Sequence, residues 1–175
     1  MSIIYLNNQK LKGMMIIDGN SAKILKEKFK DQIKRNVEIK AFLEEKEKIS
    51  GGNKFLEEFL EAWAFIDTII QVSKDESLLS ENSKKKLKDL KEKREIITFV
   101  TPTCPYCPYQ VFLSNNLVIE AKGIITSICI DALEFPELAD KFEVSSIPHN
   151  VINGKTSSIG VQPEEKFVED VIKGG

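Results

Sequence analysis

Cys104-Pro105-Tyr106-Cys107 is where residue type and spacing in this 175-residue chain point most directly to chemistry. Two thiols three residues apart can close a disulfide or open it, and a thiolate is both a nucleophile and a metal ligand. The chain holds three cysteines and one histidine. An odd count with two cysteines in one C-x-x-C is poor material for a structural disulfide framework. It suits a reactive pair, with Cys129 as a spectator. Cys104, Cys107, Cys129 and His149 could formally offer zinc three sulfurs and a nitrogen. Two features weigh against that. The C-x-x-C opens a long helical pattern and not a glycine-rich knuckle, and Cys129 lies in an apolar run, Ile125 to Ile130, where a buried hydrophobe is expected. No metal and no cofactor are therefore expected.

The elements that must hold the pair can be read on either side of it. Glu95 to Val100 reads as a strand with apolar residues on both faces, as a central buried strand has. It delivers the chain to Cys104 at the start of a helix expected from about Pro105 to Ala121, with Gly123 as its stop. At a helix N-terminus the unpaired N–H groups and the dipole favour an anion, so the Cys104 thiolate forms at lower pH. Cys107 lies one turn deeper on the same face. Cys104 is thus the expected attacking thiol, Cys107 the resolving one, and Pro105 removes an N–H that would need a partner. Ile124 to Ile130 follows as a strand and Pro136 to Phe142 as a short helix. Asn150 to Ile152 and Thr156 to Ile159 flank Asn153-Gly154, a type I′ hairpin signal. Pro163 opens a last helix, Glu164 to Ile172. The order β-α-β-α-β-β-α is a parallel crossover followed by an antiparallel hairpin, the thioredoxin-like arrangement of the α/β class.

The N-terminal half is mainly helical in pattern. Ile3 to Leu6 and Val37 to Leu43 alternate as strands. Ile24, Leu25, Phe29 and Ile33 follow helical spacing after Asn20 or Ser21. Glu44 to Lys48 is a solvated charge run, and Gly51-Gly52 break the chain. From Asn53, an apolar stripe through Phe55, Phe59, Trp63, Ile66 and Ile70 marks a strong amphipathic helix. Ser80 or Ser83 starts another, Lys84 to about Lys93. Helix followed by strand occurs twice, at 21–43 and 80–100, as in a degenerate duplication. The domains expected are 1–79, without redox cysteines, and 80–175, the thioredoxin-like redox domain. A strand at Val37 to Leu43 needs a neighbour, either the sheet of the C-terminal unit or a second chain, which favours a homodimer.

Composition sets limits on partners. The formal net charge is −2; residues 1–93 carry 19 basic and 16 acidic side chains, residues 94–175 carry 6 and 11. Neither excess suggests nucleic acid. No run approaches the ~18 apolar residues of a membrane helix, and no secretory signal is read at Met1 to Asn7, so a cytoplasmic location is expected.

Thr101-Pro102-Thr103-Cys104-Pro105-Tyr106-Cys107-Pro108 resembles the active-site segment in the C-terminal unit of the protein disulfide oxidoreductases of archaea and hyperthermophilic bacteria. That glutaredoxin-like family has two thioredoxin folds in one chain. The likeness runs on through Glu134 to Ala139, Ile147-Pro148, Val151 to Lys155 and Pro163 to Glu165, and so covers 80–175. It implies that Cys104 and Cys107 are catalytic, and that Pro148 is a cis-proline facing the disulfide. It also implies that Pro105, Tyr106, Ile147 and Pro148 hold extended substrate. Protein or peptide disulfides would then be the substrates, with a thioredoxin-reductase-like electron donor. Met15 to Phe42 and Gly51 to Ser77 resemble pieces of the first unit, whose C-x-x-C and cis-proline are missing. Thioredoxins place a buried Asp six residues before the first cysteine; Thr98 stands there. Glutaredoxins follow the hairpin with Gly-Gly and an acidic residue that hold glutathione; here the segment is Gly160-Val161-Gln162. Two other functions fit the same residues: a glutathione- or reductase-linked glutaredoxin-like reductase, and a non-catalytic peptide-binding module.

Overall fold

The computed structural model describes residues 4–7, 38–41, 64 and 66–174. Strands β1 (Ile4–Asn7) and β2 (Glu38–Ala41) pair antiparallel, with Ile4 opposite Ala41. This corrects the expectation for β2: its partner is a second short alternating segment from the same half of the chain, so an unpaired strand no longer argues for a homodimer. The helix expected after Asn20, the charge run Glu44 to Lys48 and the helix from Asn53 through Trp63 lie outside the described residues. Most of the 1–79 unit lies there too.

The last part of the amphipathic helix is described as α1 (66–74), with Ile66, Ile69 and Ile70 buried as the stripe predicts. It ends at Asp75, whose φ of 60° is the left-handed conformation that Asp tolerates better than most residues. Helix α2 (Glu81–Lys88) begins where Ser80 caps it, accepting the Ser83 N–H at 3.2 Å. It is shorter than the lysine-rich pattern suggests. Asp89 ends it, and Leu90 turns into the core beyond the helix, its N–H bonded to the Leu87 carbonyl.

Strand β3 (Arg94–Val100) is central in a four-stranded sheet of order β4-β3-β5-β6. It runs parallel to β4 (Ile125–Asp131) across the crossover helix α3 (Cys107–Ala121) and antiparallel to β5 (His149–Ile152). Helix α4 (Pro136–Lys141) links β4 to β5, and β6 (Lys155–Ile159) forms the edge, followed by α5 (Glu164–Lys173). The β-α-β-α-β-β-α order from β3 to α5 is the expected thioredoxin-like fold. Asn153 (φ 50°) and Gly154 (φ 76°) both take the positive φ that a type I′ hairpin requires.

Two apolar layers hold the sheet. On one face Ile96, Ile125 and Ile152 meet Leu87, Leu90, Leu117, Phe167, Val168 and Val171. On the other, Ile97, Phe99, Ile130 and Val151 pack with Ala139, Phe135 and Phe142. Burial on both faces explains why β3 reads as a run of apolar residues. Four contacts tie α1 and the segment after it to α3. The Asn115 side-chain N–H donates to Thr68 Oγ1 (3.2 Å), the Leu78 N–H to Asn116 Oδ1 (2.7 Å) and Ser77 Oγ to Glu120 Oε2 (2.6 Å), while Lys122 pairs with Asp75 at 3.2 Å. No helix among the described residues is long and apolar enough to cross a membrane.

Candidate active site

Cys104 and Cys107 are joined in a disulfide, their Cα atoms 5.5 Å apart. The chain leaves β3 through a turn in which the Cys104 N–H donates to the Thr101 carbonyl at 3.1 Å. Helix α3 begins at Cys107, not at Pro105 as the pattern suggests, so Pro105 and Tyr106 belong to the turn and Pro108 is the proline of the first helical turn. The physical reason is Pro108: it has no N–H to give the Cys104 carbonyl, so the helical ladder does not start there, and the Cys104 carbonyl and Sγ instead receive the Cys107 N–H, at 3.4 and 3.1 Å. Cys104 is half-buried and Cys107 is 3% exposed, while Tyr106 stands 65% exposed beside them.

The Ile147–Pro148 peptide bond is cis. His149 lies opposite Phe99 in the β3–β5 ladder, which brings Pro148 level with Val100, where β3 hands over to the disulfide turn. The Pro148 carbonyl accepts the Gly160 N–H at 2.7 Å, and this fastens the loop after β6 to the same end of the sheet. Cys104, Pro105, Tyr106, Cys107, Ile147 and Pro148 therefore gather at the C-terminal end of β3. Cys129 and His149 are not part of that group. Cys129 is in register with Thr98, on the α3 face, whereas His149 meets the Phe99 ring edge-on at 6.4 Å, on the α4 face. Cys129 is half-buried, not buried as expected.

A polar row beneath α3 is not anticipated by the sequence patterns above. Thr98 Oγ1 donates to Asn150 Oδ1 at 3.2 Å and lies 3.4 Å from Ser114 Oγ, and Asn150 Nδ2 donates to Ser158 Oγ at 3.2 Å. Ser114 Oγ donates to the Gln110 carbonyl at 3.1 Å. Neutral groups thus occupy the layer where thioredoxins place a carboxylate. The available signal was on α3: Cys107, Gln110, Ser114, Leu117 and Ala121 recur at spacings of three and four. That is the period of a buried face, with two polar residues on it.

His149 is 1% exposed, and burial holds its imidazole below the usual value of 6.5. The unfolded chain therefore takes up a proton that the folded chain refuses as pH falls below about 6.5, so the stability His149 contributes is complete above that pH and declines beneath it. The urea midpoint is expected to drop between pH 7.5 and 5.5, and to drop less in His149→Asn. Equal drops in both chains would rule this out.

Residues 94–173 match the family model of the thioredoxin domain. Among solved structures, the chain is similar to a protein disulfide oxidoreductase from Aeropyrum pernix, with 37% identity and a TM-score of 0.58 over 66% of this chain and 50% of that one. This chain thus spans half the length of that relative. It is also similar to the N-terminal domain of an alkylhydroperoxide reductase from Enterococcus faecalis, at 20% identity and a TM-score of 0.58, over 90% of this chain and 73% of that one. That second likeness is one of fold. A comparison with curated proteins gave no match.

Proposed function

Because residues 94–173 of this chain belong to the thioredoxin domain family, we propose that it is a thiol–disulfide oxidoreductase acting on protein disulfides through Cys104 and Cys107. The observation that carries this reading is the disulfide itself, with one half-buried sulfur in the turn and one buried sulfur on the first turn of α3. In the reducing direction, the Cys104 thiolate attacks a substrate disulfide. The substrate S–S bond breaks, one substrate sulfur leaves as a thiolate and takes a proton, and a mixed disulfide remains. Cys107 then loses its proton and attacks Cys104 Sγ, the second substrate sulfur leaves, and two electrons have passed from the dithiol to the substrate. Pro105, Tyr106, Ile147 and Pro148 are the residues we assign to holding the substrate chain, and a thioredoxin-reductase-like protein is a suitable electron donor. The cytoplasm is the compartment that fits this reading.

Charge favours protein disulfides over glutathione. From Glu95 to Asp140 the one basic residue is Lys122, which already pairs with Asp75. The segment after the hairpin, where glutaredoxins carry Gly-Gly and an acidic residue for glutathione, is Gly160-Val161-Gln162 here, and the acidic residues that follow, Glu164 and Glu165, are engaged elsewhere. Glu164 Oε1 accepts the Ser80 N–H at 2.8 Å and Glu165 Oε1 an Asn82 side-chain N–H at 3.1 Å. The dithiol protein is therefore expected to reduce insulin to precipitation, and to gain little from glutathione as its sole electron source. Loss of insulin reduction with rapid glutathione-driven turnover would favour the glutaredoxin-like alternative. Absence of both would favour a peptide-binding module.

A further inference from the structure

Gln110 follows Cys107 by one turn of α3, and none of its surface reaches solvent. The two ends of its amide differ. Oε1 accepts the Gln162 backbone N–H at 2.9 Å, whereas Nε2, equally buried, has no hydrogen-bond partner among the described residues. Exchanging the amide oxygen and nitrogen would set donor against donor at Gln162, so chemistry fixes this orientation. A buried amide N–H without an acceptor is costly and calls for an explanation. Helical side chains lean towards the N-terminus, so residue 110 covers the turn that carries Cys107. The buried groups on this face of the sheet, Thr98, Ser114, Asn150 and Ser158, are neutral, and the buried His149 is on the other face.

We propose that Gln110 is a positioning residue for the resolving cysteine: its Nε2–H donates to the Cys107 sulfur when that sulfur is a thiolate, while its Oε1 holds the loop at Gln162. The proposal rests on the thiol–disulfide reading above. In the resolving step the Cys107 proton goes to solvent and the thiolate attacks Cys104 Sγ. The bond between Cys104 and substrate breaks, and the substrate sulfur carries away the electron pair. The amide N–H stabilises the anion before attack and is released when the disulfide closes, the state in which Nε2 stands without a partner. Gly160, two residues before Gln162, holds the Pro148 carbonyl, so the same amide also anchors the loop beside the substrate site.

Gln110→Met removes donor and acceptor at similar size. The test uses the full chain carrying Cys104→Ser and follows iodoacetamide alkylation at Cys107, by peptide mass, across pH. Gln110→Met is expected to raise the apparent Cys107 pKa so that about ten-fold less thiolate is present at neutral pH, the scale of one hydrogen bond to a charge. With Cys104 restored, release of substrate from the mixed disulfide should slow by about three-fold, because the more basic thiolate that remains is the better nucleophile. Gln110→Glu, whose ionised carboxylate keeps the acceptor, lacks the donor and adds a like charge, serves if the Met variant does not fold, and a rise at least as large is expected from it. An unchanged Cys107 titration, with only thermal stability lowered, would make Gln110 a loop tether and overturn the proposal. Failure of the functional reading is a separate result: insulin reduction would survive Cys104→Ser, while the alkylation profile of Cys107 would still report on Gln110.

Discussion

Cys104→Ser is expected to bring insulin reduction down to the uncatalysed background, whereas Cys107→Ser should stop after one half-turnover with substrate covalently attached. The asymmetry follows from position. Cys104 is half-buried in the turn, with the Cys107 N–H 3.1 Å from its sulfur, so its thiolate is both reachable and stabilised. Cys107 is buried on the first turn of α3, where a bulky substrate disulfide does not reach it but the neighbouring Cys104 sulfur does. Mass spectrometry of each variant after exposure to a protein disulfide reads the difference: an adduct on Cys107→Ser and none on Cys104→Ser. Adducts on Cys104→Ser instead would reverse the two roles.

The second large effect is on stability. Leu79 is buried in the layer formed by Leu87, Leu90, Leu117, Phe167 and Val171, although it precedes the first helix of the redox unit. Leu79→Ala is expected to cost about 2–5 kcal/mol through lost transfer energy and the cavity left behind. Against a total of roughly 5–15 kcal/mol for a typical domain, that is a large share. A chain beginning at Ser80 loses Leu79 and also the contacts from Thr68, Asp75, Ser77 and Leu78 to α3. It should unfold at lower urea than Leu79→Ala while keeping dithiol chemistry, because none of the described residues before Ser80 is placed at the disulfide. An unfolding free energy for Leu79→Ala, from urea titration, within about 0.5 kcal/mol of the parent, the usual range of surface changes, would show that this segment does not carry stability.

From Arg94 onwards the order of elements was legible in the sequence because each is announced by a local rule. Alternation or apolar runs mark β3 and β4, Pro136 and Pro163 start helices, and Asn153-Gly154 dictates a turn that needs positive φ twice. The C-x-x-C and the cis-proline were legible for a different reason: their chemistry or their resemblance is carried by adjacent residues. Boundaries were less so. Pro108 leaves the Cys104 carbonyl without its i+4 donor, so α3 starts at Cys107, two residues beyond the start that Pro105 suggests.

The sequence alone determined which atoms can do chemistry here, since two thiols three residues apart after a buried strand are a covalent fact of the chain. Tertiary structure decided what surrounds them. Pairing across the ladder set Asn150 beside Thr98 and Ser158 beside Asn150, residues distant along the chain that no period links. It left Cys129 half-buried, and it turned His149 to the face opposite the polar row. It also buried the amide of Gln110, with Oε1 bonded to Gln162 and Nε2 without a partner among the described residues. A side chain's own type cannot fix such outcomes, because burial and partners come from segments that meet only when the sheet closes.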